Sequence, residues 1–136
     1  MAQALRSSGI AYRNMKELGG LRHAKKDSPN RGWRNLSFRG YADYMQTSEF
    51  QRAVEELVVL GKASRTAIMC AESLPWRCHR SLVGDALVVQ HIPVEDILSA
   101  HKSSPHKLTK FAQVKGERIL YPLAAEELTN DVTPAA

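Results

Sequence analysis

Thr66-Ala-Ile-Met-Cys70-Ala71-Glu72-Ser73-Leu74-Pro75-Trp76-Arg77-Cys78-His79-Arg80-Ser-Leu82-Val83-Gly-Asp85-Ala86-Leu87 is the stretch on which the reading of this 136-residue chain turns. Thr66 to Ala71 is short, apolar and bounded by polar residues, the pattern of a strand buried on both faces of a parallel sheet. Ser73-Leu74-Pro75 offers a cap and a proline for the first helical position. A helix is therefore predicted from there to about Gln90, with Leu82, Val83, Ala86 and Leu87 facing inward.

On the N-terminal side, Thr47, Ser48 and Glu49 make a helix start, and Phe50, Val54, Leu57 and Val58 repeat as the stripe of an amphipathic helix ending near Gly61. Tyr41 to Met45 adds a shorter helical turn before it. Gly9-Ile10-Ala11-Tyr12-Arg13 alternates as a strand does, after one or two helical turns. Residues 14–40 carry Gly19-Gly20, Ser28-Pro29-Asn30 and Gly32 without periodicity, which reads as a long, basic, partly mobile loop. On the C-terminal side, His91 to Leu98 and Arg118 to Tyr121 read as strands and Lys107 to Gln113 as a short helix. Helices alternating with strands predict a small, three-layer-like α/β domain, with a mostly parallel sheet flanked by helices over residues 1–123. Residues 124–136 read as a frayed tail.

A hydrophobic fraction of 43% and a charged fraction of 24% are those of an ordinary globular protein. No apolar run reaches the roughly 18 to 20 residues of a membrane helix, and the segment Met1 to Arg6 lacks the apolar centre of a secretion signal. A cytoplasmic protein away from the membrane is expected. Two cysteines, Cys70 and Cys78, are too few for a disulfide scaffold and read as thiols. Residues 1–40 hold nine Lys/Arg against Glu17 and Asp27, and the remainder ten Lys/Arg against twelve Asp/Glu. The positive surplus thus sits in the first third, where an anionic partner is expected.

Cys70 to Arg80 supplies two thiols, a carboxylate, a hydroxyl, an imidazole and two guanidiniums at a predicted strand-to-helix turn. Ligands of open α/β sheets bind beyond the carboxyl ends of strands, and a helix start attracts anions. Arg77, Cys78, His79 and Arg80 are accordingly the expected anion-binding residues. Cys70 with Glu72 is the catalytic alternative: a cysteine nucleophile acting on a phosphorylated or nucleotide-like substrate. The plainer alternative makes Cys78 a small core residue on one stripe with Leu82, Ala86 and Val89, and Glu72 a helix cap. Cys70, Glu72, Cys78 and His79 are acceptable metal-ligand types, but Cys78 and His79 point about 100° apart on a helix and no C-x-x-C is present, so no metal is expected. No dinucleotide fingerprint occurs, and no cofactor is expected. Lys25, Lys26, Arg31, Arg34 and Arg39 with Trp33 among them form a candidate nucleic-acid site, in which the cations grip phosphates and the indole stacks a base. A solvated basic loop is the alternative there. His23, His91, His101 and His106 are scattered and read as surface or core histidines.

Leu18-Gly-Gly20, Gly40-Tyr41-Ala42 with Tyr44-Met45, Glu49-Phe50, Met69-Cys70-Ala71-Glu72, Cys78-His79-Arg80, His91-Ile92, Phe111-Ala112 and Tyr121-Pro122 resemble, in order and spacing, the bacterial domain of unknown function 488 family. The resemblance implies a compact α/β domain with the M-C-A-E and C-H-R segments as its hallmark, and no established activity. It also implies a longer N-terminal segment with a Gly-His strand and an Asp-Val-Arg strand. The sequence begins close to the Gly-Ile-x-Tyr segment, so the resemblance implies that both strands would be absent from it.

Overall fold

A strong helix signal in the chain is Thr47, whose side chain accepts a hydrogen bond from the Phe50 N–H at 3.2 Å and so satisfies one of the orphan donors of a helix start. The helix it begins, α3, runs Ser48–Ala63 and buries Phe50, Ala53, Val54 and Leu57. In this computed structural model, which describes residues 2–20, 22–69 and 78–123, three further helices accompany it: α1 (Ala2–Ser7), α2 (Leu36–Tyr44) and α4 (Arg80–Val89), with a 3-10 turn at Lys16–Leu18. Asn35 caps α2 by accepting from Ser37 and Phe38 N–H groups. Four short strands make two antiparallel pairs, β1 (Glu95–Ser99) with β2 (Lys102–Pro105) and β3 (Gln113–Lys115) with β4 (Arg118–Leu120). The core gathers Tyr41, Phe50, Val54, Leu82, Val83, Ile119 and Tyr121 from α2, α3, α4 and the β4 end.

The predicted parallel sheet is therefore corrected: both described sheets are two-stranded and antiparallel. Residues 10–13 and 66–69 belong to no strand, and Ile10 and Met69 are 52% and 54% exposed. Apolar alternation marks a segment able to extend, but a strand exists only where a second chain segment completes its ladder, and neither stretch has one among the described residues. The predicted helix at Lys107 to Gln113 is likewise a turn leading into β3. Its Thr109 is taken instead by Asp85, which accepts from the Thr109 N–H at 3.2 Å and hydroxyl at 2.6 Å. The start predicted for α4 at Ser73 to Pro75, and residues 124–136, lie outside the described residues.

Residues 14–40 hold more structure than a loop. Asp43 on α2 accepts from the Lys25 N–H (2.8 Å), the Ser28 hydroxyl (2.6 Å) and the Asn30 amide (2.8 Å). Asn30, fully buried, in turn accepts from the Tyr121 N–H at 2.9 Å. This staple ties the basic segment to α2 on one side and to the end of β4 on the other. Gly40 lets it lie close, because a Cβ there would collide with the carbonyl oxygen of Arg22.

Candidate functional site

The site is built where three segments meet the start of α4. His79 is its N-cap residue, and the ring has no capping bond of its own. The ring packs 4.9 Å from that of Tyr41 on α2. It also lies against Gly20, where a Cβ would stand 3.0 Å from His79 Nδ1, so any other residue there would press on the ring. The Tyr41 hydroxyl donates to the Leu18 carbonyl at 2.7 Å, which fixes the Leu18–Gly20 segment beneath the imidazole. Tyr44, one turn on from Tyr41, donates to the Glu17 carbonyl at 2.5 Å.

Cys78 is buried, and its Sγ accepts from Arg80 twice, from the backbone N–H at 3.4 Å and from Nε–H at 3.3 Å. His79 Nδ1 lies 3.6 Å from the same sulfur. Arg22 reaches in from the other side. Its Nε and Nη2 donate to the carbonyls of Gly19 and Lys16, both at 3.3 Å, and its guanidinium sits 3.8 Å over the Tyr44 ring.

The electrostatics follow from this arrangement. Burial lowers the pKa of His79, and the Arg80 and Arg22 charges lower it further against a hydrogen bond to the Leu18 backbone. Two permanent cations and burial thus act together against protonation of the imidazole. Tyr41 titrates well above its ordinary range, chiefly because burial disfavours the phenolate, and is a hydrogen-bond donor at any working pH.

The expected residues are partly brought together. Cys78, His79 and Arg80 adjoin one another, whereas Cys70, Glu72 and Arg77 lie outside the described residues. In the nucleic-acid set, Trp33 is packed edge-on against Phe38 and Phe111 (5.1 and 4.9 Å between centroids) and tilted against Tyr121, so its ring is engaged by other aromatics. Arg39 Nε donates to the Trp33 carbonyl. Lys25, Lys26, Arg31 and Arg34 are exposed.

Arg22 was not singled out, and only its place two residues after Gly19-Gly20 hints at it. Asp85, another residue that the sequence reading gives no role, is fully buried. It accepts from His106 Nε2 at 2.9 Å and the Tyr121 hydroxyl at 2.8 Å as well as from Thr109, and Asp96 faces His106 Nδ1 at 3.0 Å. The signal was there: Asp85 is the one charge inside the apolar run Leu82 to Val89. Among the described residues no group of three or more His, Cys, Asp or Glu is placed to hold a metal ion, and no described helix is long and apolar enough to cross a membrane.

Residues 1–87 match the family model described as domain of unknown function DUF488. That is well over half of the chain, which belongs to this family. The matched stretch contains the Leu18–Gly20, Gly40–Tyr44 and Cys78–Arg80 segments that the fold assembles around His79, and it ends before β1. No curated protein matches the chain, and neither does any solved structure.

Proposed function

We propose that the chain binds an anion of the phosphate class, free or carried by a nucleotide or nucleic acid, at the turn that opens α4. The observation that carries this reading is the convergence of Arg80 and Arg22 on His79. Two guanidiniums from distant parts of the chain, Arg80 on the Cys78 sulfur and Arg22 on the Gly19 and Lys16 carbonyls, both act electrostatically on one half-buried imidazole at the positive end of a ten-residue helix. Guanidiniums recognise phosphate through charge-assisted hydrogen bonds, and the site repels further positive charge. The cysteine-dependent alternative draws no support from the described geometry, because Cys70 and Glu72 lie outside it and Cys78 is buried with its sulfur bonded to Arg80.

Burial is the main cause of the lowered His79 pKa and the arginine charges add to it; an anion between the two arginines offsets their part, so bound phosphate should raise the His79 pKa. NMR titration of the His79 ring with and without orthophosphate, at matched ionic strength, reads this directly. Arg80→Ala should weaken phosphate binding about tenfold to a hundredfold, the worth of one or two hydrogen bonds to a charged group. A His79 titration curve that phosphate leaves in place would overturn the reading.

A further inference from the structure

A cavity of about 230 Å³ opens beside the site, between the basic segment and the junction of α2 with α3. Its wall includes Arg22, His23, Lys25, Asp43, Tyr44 and Thr47. Three of these six are bases. Arg22 has five N–H donors and spends two on Lys16 and Gly19 carbonyls, leaving three without a partner among the described residues. Lys25 gives its backbone N–H to Asp43, and neither its ammonium group nor the His23 ring has a hydrogen-bond or ion-pair partner there. The only carboxylate in the wall, Asp43, is already occupied by donors from the basic segment: Ser28 and Asn30 on Oδ1, Lys25 on Oδ2. Glu17 and Glu49 also bear on Tyr44, each more weakly than Arg22 does. The wall therefore presents unspent donors and net positive charge to whatever enters it.

The cavity is linked to the turn at α4 through Arg22. Arg22 belongs to both, since it lines the cavity and its charge acts on His79. Gly20, against which the His79 ring lies, precedes Arg22 by two residues, a span of at most about 7 Å of extended chain. On the α2 side, Tyr44 lines the cavity and stands 5.9 Å from Tyr41, whose ring packs tilted against His79. One phosphate at Arg80 and Arg22 leaves His23 and Lys25 unmatched. A second phosphate joined to the first is the counterpart in charge of His23 and Lys25, which line the same cavity as Arg22.

We infer that the ligand of this chain carries a run of two or more phosphates, one held at Arg80 and Arg22 and the next in the cavity by His23 and Lys25. This rests on the anion-binding reading above and specifies its ligand class. The phosphate run is the shared chemistry of inorganic polyphosphate and of a nucleoside polyphosphate.

The test is calorimetric titration of the full chain with orthophosphate, tripolyphosphate and adenosine triphosphate at matched ionic strength. His23→Ala/Lys25→Ala is compared with Lys26→Ala/Arg34→Ala, which also removes basic side chains from the same segment but away from the cavity wall. All four residues are exposed, and an unchanged unfolding midpoint verifies that each variant is folded. Tripolyphosphate should bind at least about tenfold tighter than orthophosphate, because the second contact is made at high effective concentration. His23→Ala/Lys25→Ala should lose that advantage and keep its orthophosphate affinity, whereas the control pair should retain it. Adenosine triphosphate binding tighter than tripolyphosphate assigns the run to a nucleotide, and equal affinities assign it to the phosphate chain alone. Tripolyphosphate no tighter than orthophosphate, or an advantage that survives His23→Ala/Lys25→Ala, overturns this inference and leaves the anion site standing. No binding of any phosphate removes both.

Discussion

Both ring nitrogens of His106 face carboxylates, Nε2 that of Asp85 and Nδ1 that of Asp96. A neutral imidazole has one N–H and ionised carboxylates only accept, so both contacts are satisfied only by the imidazolium form. The Asp85 hydrogen bond is the largest influence raising the His106 pKa, and it outweighs the effect of burial. Below the unfolded value near 6.5 the stabilisation from this pair is complete, and it is lost as pH rises through the raised folded value. His79 acts with the opposite sign. Its pKa is lowered, so a penalty to the fold grows as pH falls from about 6.5. Urea midpoints measured across pH should therefore show a loss of stability on the alkaline side that His106→Gln removes, and one on the acid side that His79→Gln reduces. An alkaline limb unchanged in His106→Gln would assign it elsewhere. The opposed shifts show how little the residue type reveals by itself: His106 reads in the sequence like His23, His91 and His101, and only its spatial neighbours Asp85 and Asp96 distinguish it.

In α4, Gly84 sits mid-helix, where glycine costs about 1 kcal/mol relative to alanine. Its reason is the imidazole above it, since a Cβ at Gly84 would stand 2.9 Å from His106 Nε2. Gly84→Ala should destabilise the protein by about 1 to 3 kcal/mol by displacing that ring from Asp85. In a His106→Ala background the same change should instead stabilise by up to about 1 kcal/mol, as helix propensity alone then operates. A double-mutant cycle without this reversal of sign would show that His106 is not what Gly84 accommodates. Helix α3 was legible because all its determinants are local: a capping threonine and apolar residues at helical spacing. The apolar alternation of Ile10 and Tyr12 and the apolar run at Ile68 and Met69 were equally visible, but ladder partners are not a local property. For these stretches sequence pattern marked the capacity to extend and nothing in it fixed a pairing.

Across the whole molecule, Asn30 joins parts of the chain that lie far apart in sequence, donating to Asp43 and accepting from the Tyr121 N–H 91 residues away. Gly32 N–H adds a bond to the Tyr121 carbonyl at 2.7 Å. Asn30→Ala leaves a buried carboxylate oxygen with one donor fewer and a buried N–H with none, and should cost about 2 kcal/mol or more. The urea midpoint should fall with little change in slope, and hydrogen exchange should quicken in residues 24–35 and at Tyr121 together. Faster exchange at only one of the two would show that the staple does not couple them. The basic surplus of residues 1–40, the helix stripe at Phe50 to Leu57 and the inward set Leu82, Val83, Ala86 and Leu87 could be read directly, since charge and helical periodicity are written residue by residue. So were Cys78, His79 and Arg80 as a chemically dense run. That Arg22 and Gly20 meet them, that Trp33 packs among aromatics, that Asp85 is buried on His106 and that the strands pair antiparallel were decided by tertiary structure alone. Each depends on which distant segment arrives at a given surface, and that is settled by the balance of burial and hydrogen bonding over the whole chain, with no local trace in the sequence.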